Sequence, residues 1–248
     1  LAVSQLRSCP PDAILFTYGD NDTYPLWYAR QVENIRPDVR IVNLGLLNTT
    51  WYIEQVQQAV PGTTGLQMTL EPGFYRKHRT DFFEISKFIS SPLPGSEVLS
   101  RLTENHQDDR EGRSGIFGSA LHPVWELPLP IGETKNWEIK DRYLSAGDLA
   151  LFDIIATNGS GRPVCFTRNV KTGELKGLDK HLVSHGLVLK LNENLQGEEK
   201  KERLLSEYQL FCDSLSIGRK KQSWWDHTCR QAMTLAGYRQ ASLSLSRR

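Results

Sequence analysis

The residues best suited to chemistry lie in the stretch Gly19-Asp20-Asn21-Asp22, which follows the apolar run Ala13–Phe16 after two further residues. Two carboxylates two residues apart can together supply oxygen ligands to a hard cation. Gly19 can adopt backbone conformations that other residues resist, so the chain can turn sharply at this point. The stretch therefore predicts a Mg²⁺ or Mn²⁺ site formed by Asp20 and Asp22, which would hold a phosphate or a sugar donor.

The same stretch can be explained without any ligand. Asp22 or Thr23 would serve as the N-cap of a following helix, Pro25 suits a first helical turn, and acidic groups stabilise the positive helix end. Simple capping does not require Asp20. The Asp-x-Asp-x-Thr pattern of haloacid dehalogenase phosphatases fails by one residue, because Thr23 follows Asp22 directly. The Asp-x-Asp pattern of nucleotide-sugar glycosyltransferases is matched, but no glycine-rich phosphate loop accompanies it.

A second polar and aromatic group, NLGLLNTTWY at residues 43–52, follows the next predicted strand. If the two strands are neighbours in a parallel sheet, their ends converge on one crevice, whose Asn, Thr, Trp and Tyr side chains suit a carbohydrate or a peptide. The alternative is that Trp51 and Tyr52 pack in the core while Asn48 caps a helix. The candidate ligand-binding residues are Asp20, Asn21, Asp22, Asn43, Asn48 and Trp51.

The elements that must position these residues follow from hydrophobic periodicity and turn residues. These patterns predict strands over 13–17, 39–44, 66–70, 164–167 and 187–191, helices over 25–35, 49–60, 80–89, 145–156 and 178–184, and an exposed loop over 103–119. Strands joined by helices of this length favour parallel pairing with right-handed crossovers. The predicted fold class is therefore α/β, with a mainly parallel sheet and flanking helices in a Rossmann-like three-layer arrangement.

A change of composition near residue 198 predicts two parts. Residues 1–197 form the α/β domain, which is long enough to bury a substantial core. Residues 198–248 form a helical extension, with helices over 199–216 and 223–236 that pair as a hairpin, pack on the domain or link to further helical repeats. Because the chain begins at Leu1 rather than Met, we expect a piece of a longer polypeptide.

Composition excludes several classes of function. The 30 basic and 29 acidic side chains give a formal charge of +1, which is not the basic footprint of a nucleic-acid-binding protein. No apolar stretch approaches the roughly 20 residues needed to span a bilayer, so the fragment itself is predicted to be soluble. The four cysteines show no CxxC spacing, and neither the HExxH pattern of zinc proteases nor the GxSxG pattern of serine hydrolases is present.

The stretch AILFTYGDNDTYPLWYARQVENIRPDVRIVNLGLLNTTWYIEQV, residues 13–56, resembles the soluble carboxyl-terminal region of a family of bacterial multi-pass membrane proteins. That family, formerly described only as a domain of unknown function, is related to transmembrane protein O-mannosyltransferases. SAGDLALFDIIATN, RPVCFT and GLDKHLVSHGLVLKL resemble it in the same order. Tyr18 and Tyr24 depart from the Asn and Phe expected there, and Thr49-Thr50 departs from Thr-Asp.

The resemblance implies a protein whose membrane helices precede this chain and carry the catalytic acid of a lipid-linked-sugar transferase. This chain would then be its extracytoplasmic, periplasmic domain, noncatalytic by itself and without a cofactor. Its partners would be its own transmembrane region and an acceptor polypeptide or glycan. One alternative is a self-contained glycosyl- or phosphoryl-transfer enzyme that uses Mg²⁺ or Mn²⁺ at Asp20 and Asp22. Another is a structural or oligomerisation module, in which the terminal helices and Trp224-Trp225 form the contact.

Overall fold

The computed structural model describes residues 1–78, 82–86, 91–107, 121–130 and 133–191. Within these ranges the α-helices are α1 (Ala2–Ser8), α2 (Asp20–Gln31), α3 (Thr50–Gln57), α4 (Pro72–Lys77), α5 (Gly95–Gln107) and α6 (Ala146–Asn158). The strands are β1 (Ile14–Thr17), β2 (Arg40–Asn43), β3 (Phe82–Glu84), β4 (Leu93–Pro94), β5 (Val124–Leu129), β6 (Glu133–Glu138), β7 (Tyr143–Ser145), β8 (Val164–Thr167), β9 (Leu182–His185) and β10 (Val188–Leu191). Short 3-10 helices occupy Leu46–Asn48, Thr172–Leu175 and Leu178–His181. The helical extension predicted for 198–248 lies outside the described residues.

The largest sheet described has five strands in the order β2-β1-β8-β10-β9. β1 pairs in parallel with both β2 and β8, whereas β10 is antiparallel to both β8 and β9. Smaller sheets β3-β7 and β4-β5-β6 also contain antiparallel pairs. The prediction of a mainly parallel, Rossmann-like sheet is therefore wrong, and the sheets are mixed. The physical reason is that β9 and β10 are joined by a tight turn at Gly186, where φ is +56°, so they form a hairpin rather than a helical crossover.

The parallel strands are buried on both faces, which explains why the residues between their ends are apolar. On one face Leu15 and Cys165 pack with apolar residues of α1 and α2. On the opposite face Phe16 and Phe166 stack with their ring centroids 5.1 Å apart. They belong to a larger apolar cluster that also contains residues of α3, α6 and the smaller sheets. The strand predictions for β1, β2, β8 and β10 are confirmed within one or two residues at each end.

The helix predicted over 145–156 is also confirmed, as α6. Ser145 is its N-cap: the Ser145 hydroxyl accepts a hydrogen bond from the backbone N–H of Asp148, and the Asp148 carboxylate accepts one from the backbone N–H of Ser145. Nearly every residue of the helix is buried, which explains why most of its side chains are apolar. The Phe152 ring, for example, lies 3.8 Å from the Trp137 ring between centroids.

The strand predicted over 66–70 is wrong, because side chains of α6 take the hydrogen bonds that a neighbouring strand would need. The backbone N–H groups of Thr69 and Leu70 donate to the carboxylate of Asp153 at 2.7 and 3.0 Å. Gln67 bonds to the side-chain amide of Asn158 through both its backbone N–H and its carbonyl. Burial of the Asp153 carboxylate raises its pKa.

The middle of the chain differs from its prediction in two further places. Residues 82–84, predicted within a helix over 80–89, form strand β3 and pair antiparallel with β7. Helix α5 continues to Gln107, so it enters the loop predicted for 103–119, of which residues 108–119 lie outside the described part of the chain. The predicted short helix over 178–184 is in fact a 3-10 helix followed by β9.

Candidate functional site

Three neighbouring parallel strands each end in a buried polar side chain. Thr17 ends β1, Asn43 ends β2 and Thr167 ends β8. Thr17 and Asn43 are partners in the parallel register, and Thr167 directly follows Phe166, the partner of Phe16. The sequence-based expectation that the ends of β1 and β2 converge on one edge of the sheet is therefore confirmed.

Helix α2 begins immediately behind β1. Gly19 is its N-cap with φ at +77°, a conformation that side-chain-bearing residues rarely adopt, and Asp20 is the first helical residue. The helix thus starts five residues before the predicted position, and Pro25 lies inside it rather than in its first turn. The assignment of Asp22 or Thr23 as N-cap is therefore wrong, because the freedom of Gly19 allows an earlier start.

The carboxylate of Asp22 is turned into the protein and accepts hydrogen bonds on both oxygens. Oδ2 accepts from the backbone N–H of Tyr18 at 3.1 Å and from the hydroxyl of Thr167, and Oδ1 accepts from the side-chain amide of Asn169 at 2.9 Å. Only 6% of Asp22 is exposed. Asp22 therefore ties the first turn of α2 to the end of β8 and has three donors around its charge.

A second set of hydrogen bonds joins β1, β2 and α2. The hydroxyl of Thr23 lies 2.7 Å from that of Thr17, donates to the carbonyl of Gly19, and accepts from the side-chain amide of Asn43 at 2.7 Å. The backbone N–H of Asn43 donates to the hydroxyl of Tyr52 at 2.8 Å. Burial raises the pKa of Tyr52 to about 12, so its hydroxyl stays neutral. Asn43 and Tyr52 therefore act in the framework of the site, below its surface.

The remaining candidates are exposed and form what we call the rim. The rim consists of Asp20 and Asn21 at the start of α2 and Asn48 and Trp51 around the start of α3. Trp51 is 57% exposed, although its ring edge contacts Tyr52 with centroids 5.5 Å apart. The expectation of a core role for Trp51 is thus wrong, while that for Tyr52 is confirmed.

Two further features adjoin the rim. Tyr24, one turn along α2 from Asp20, is 54% exposed and stacks on Trp27 with centroids 5.6 Å apart. The side chain of Asn48 lies against the first turn of α6: a Cβ placed on Gly147 would fall 2.5 Å from Oδ1 of Asn48. The Tyr24 ring therefore lies one helical turn from Asp20, and the Asn48 side chain lies against α6.

Sequence reasoning missed Thr167, Asn169 and the contact between Tyr18 and Glu174. The negative charge of the nearby Glu174 carboxylate raises the pKa of Tyr18. A signal for Thr167 was present, because ILFT and VCFT, residues 14–17 and 164–167, share the ending Phe-Thr after an apolar run. Asn169 and Glu174 offered no such signal, since Asn169 lies in a turn and Glu174 in a short 3-10 helix, both far from α2 in the sequence.

The two acidic residues of the predicted metal site differ in their surroundings. Asp22 is buried with both oxygens hydrogen-bonded, whereas Asp20 is exposed and its carboxylate makes no hydrogen bond or ion pair within the described part of the chain. Across the described ranges, no group of three or more His, Cys, Asp or Glu side chains is placed to hold a metal ion. A Mg²⁺ or Mn²⁺ site at Asp20 and Asp22 stays a prediction, for which Asp22 would have to give up existing donors.

The chain combines helices with mixed parallel and antiparallel sheets, and it has a hydrogen-bonded polar strand edge with an exposed rim. It belongs to the TMEM260-associated domain 2 family, which matches residues 1–132 and 127–204. The family is associated with TMEM260, a membrane protein. Comparison with curated proteins and with solved structures finds no match. Among the described residues, none of the helices combines the length and the apolar character that crossing a membrane requires.

Proposed function

We propose that this chain is the extracytoplasmic, noncatalytic domain of a membrane-embedded glycosyltransferase-like protein and binds an acceptor polypeptide or glycan on its rim. The observation that carries the proposal is the division of the polar edge into a buried framework and an exposed binding surface. Asp22, Asn43, Thr23 and Tyr52 use their polar atoms within the protein. The rim residues and Tyr24 present theirs to solvent.

The chemistry of the rim suits an acceptor better than a reacting group. An exposed indole and an exposed phenol offer flat apolar faces, and the neighbouring carboxylate and amides offer hydrogen bonds, which together match the apolar faces and hydroxyls of a sugar. The same groups can bind the backbone and hydroxyls of a peptide rich in Ser and Thr. The family membership supports the setting of the proposal, because it associates the domain with a membrane protein.

The experiment is a calorimetric titration of the full chain against two sets of probes, simple mannosides and Ser/Thr-rich peptides with and without O-linked mannose. We expect saturable binding to at least one set. Trp51→Ala should reduce the affinity by about tenfold or more, because the bound ligand would bury the indole. Val32→Ala is the control, because Val32 is also an exposed apolar side chain, 67% exposed, but lies at the carboxyl end of α2, twelve residues beyond Asp20. Equal losses in both variants, or no binding by either set, would overturn the proposal.

A parallel titration with Mn²⁺, with and without nucleotide sugars, addresses the enzyme alternative. The binding proposal predicts that the titration with Mn²⁺ produces no heat of binding that depends on Asp20. Mn²⁺ binding that disappears in Asp20→Ala would instead favour a metal-dependent transferase within this domain. The third alternative, an oligomerisation module, predicts a stable dimer or larger species by light scattering, whereas rim binding requires no self-association.

A further inference from the structure

Three arginines with buried side chains lie at the opposite, amino-terminal edge of the parallel strands. We call Arg30, Arg40 and Arg162 the arginine cluster: Arg30 is on α2, Arg40 is the first residue of β2, and Arg162 lies two residues before β8. They are 6%, 5% and 7% exposed. Guanidinium groups are almost never buried to this extent unless they are paired.

Each of the three arginines donates at least one hydrogen bond to the chain between Gln55 and Thr63. Nη2 of Arg40 donates to the carbonyls of Gln55 and Val56 at the end of α3, both at 3.0 Å. Nη2 of Arg30 donates to the carbonyl of Pro61 at 2.9 Å. Nη2 of Arg162 donates to the hydroxyl of Thr63 at 2.9 Å. The three guanidinium groups therefore lie beneath one short segment of chain.

Two donors of the cluster are left over. Nη1 of Arg40 and Nη1 of Arg162 are both buried and have no hydrogen-bond partner within the described ranges. A buried donor without a partner destabilises a fold by the whole of its lost hydration, so native proteins rarely retain one without a reason. Nothing in the polar edge described above accounts for these two atoms.

The cluster also carries an excess of positive charge. Asp12 forms an ion pair with Arg162 at 2.9 Å, while neither Arg30 nor Arg40 forms an ion pair with any residue that the structure describes. The nearby carboxylate of Asp38 is held by Arg36 in a two-pronged pair. Burial, and then the positive charges of Arg30 and Arg162, lower the pKa of Arg40 to about 10. The three cations are thus near enough to destabilise one another.

We propose that the arginine cluster binds a small inorganic oxyanion of the phosphate or sulfate class through Nη1 of Arg40 and Nη1 of Arg162. Guanidinium groups donate readily to such oxygens, and one anion would both bond the two unused donors and offset the excess charge. Because the three side chains are at least nine-tenths buried, the site suits a free ion rather than a phosphate carried on a larger molecule. This proposal is independent of acceptor binding at the rim.

Equilibrium dialysis of the full chain against radiolabelled inorganic phosphate tests it directly. We expect saturable uptake of one phosphate per chain, in competition with sulfate and not with chloride at equal ionic strength. Phosphate at ten times its Kd should also raise the Tm by about 3–6 °C, and the shift should keep growing with the logarithm of the phosphate concentration. General salting-out by phosphate and sulfate produces no saturable uptake and no stoichiometry.

The variants are Arg40→Met and Arg162→Met, with Arg142→Met as control, because Arg142 is exposed and its loss changes the net charge equally. We expect a loss of tenfold or more in phosphate affinity in the first two and an unchanged affinity in the control. If the first two do not fold, the Nε–Hε signals of Arg40 and Arg162 in the unmodified chain replace them as the readout. Absent uptake, equal losses in all three variants, or phosphate-induced shifts confined to other arginines would overturn the proposal, and buried water would then account for both donors.

Discussion

The side-chain amide of Asn169 donates a hydrogen bond of 2.9 Å to the carboxylate of Asp22, across 147 residues of sequence. This contact, with that of Thr167, fastens the start of α2 to the chain that leaves β8. It places Asp22 in the framework of the fold and leaves Asp20, two residues earlier, at the surface. The two carboxylates of one Asp-x-Asp stretch therefore have different physical roles.

Replacement of Asp22 by Asn should destabilise the protein far more than the same change at Asp20. The NH₂ group of the introduced Asn side chain would face hydrogen-bond donors that now point at the Asp22 carboxylate. We therefore expect the free energy of unfolding to fall by about 2–4 kcal/mol. Asp20→Asn removes only an exposed charge near a helix end, so we expect about 0.5 kcal/mol or less. Urea unfolding of both variants measures the difference. Equal effects would show that Asp22 does not have the bonded, buried role described here.

The stability of the protein should depend on Asp38 at acid pH. Two hydrogen bonds from the Arg36 guanidinium, each at 2.8 Å, are the main reason that the pKa of Asp38 falls from 3.8 to about 2. Because the folded pKa is the lower one, the stabilisation is present above about pH 4 and is lost as the pH falls through about 2. The pair is partly exposed, so solvent screening limits its contribution to about 1 kcal/mol.

Urea unfolding of the unmodified chain and of Asp38→Asn, from about pH 6 down to about pH 2, checks this dependence. The difference between their free energies of unfolding should be constant above about pH 4 and shrink below it. A difference that grew towards acid pH would mean that folding raises the pKa of Asp38 instead of lowering it.

The fixed position of Asn48 can be tested through Gly147. In a helix, Ala is ordinarily favoured over Gly by about 0.5–1 kcal/mol, but a Cβ at position 147 would lie 2.5 Å from Oδ1 of Asn48. Gly147→Ala should therefore be neutral or destabilising in the unmodified chain and stabilising in an Asn48→Ala background. A double-mutant cycle should give a coupling of about 1 kcal/mol. Additive effects would mean that the Asn48 side chain does not rest on α6.

The sequence was sufficient for elements whose pattern is local. β1 and β8 are largely apolar runs between turn residues, β2 follows the helix-breaking Pro37-Asp38, and α6 has its Ser145 cap within the same short segment. The convergence of Thr17 and Asn43 followed from parallel pairing alone. These predictions required no knowledge of what lies elsewhere in the chain.

The errors arise where distant residues decide the structure. Residues 66–70 have the composition of a strand, yet Asp153 and Asn158, more than 80 residues away, take their hydrogen bonds. The antiparallel return of β10 depends on a turn at Gly186 that the sequence alone does not distinguish from a longer connection. In the candidate site, Asp22 is buried whereas Asp20 is exposed. This difference depends on Thr167 and Asn169, which no local pattern connects to α2.

The most direct test of acceptor binding at the rim is NMR mapping of the full chain with the mannoside or peptide that binds most tightly. We expect the largest shifts at the Trp51 indole and at the backbone amides of Asp20 and Asn21, with small changes at Thr17 and Thr167 in the buried framework. Largest shifts at residues remote from the rim, or saturable binding that leaves the Trp51 indole unchanged, would contradict the account.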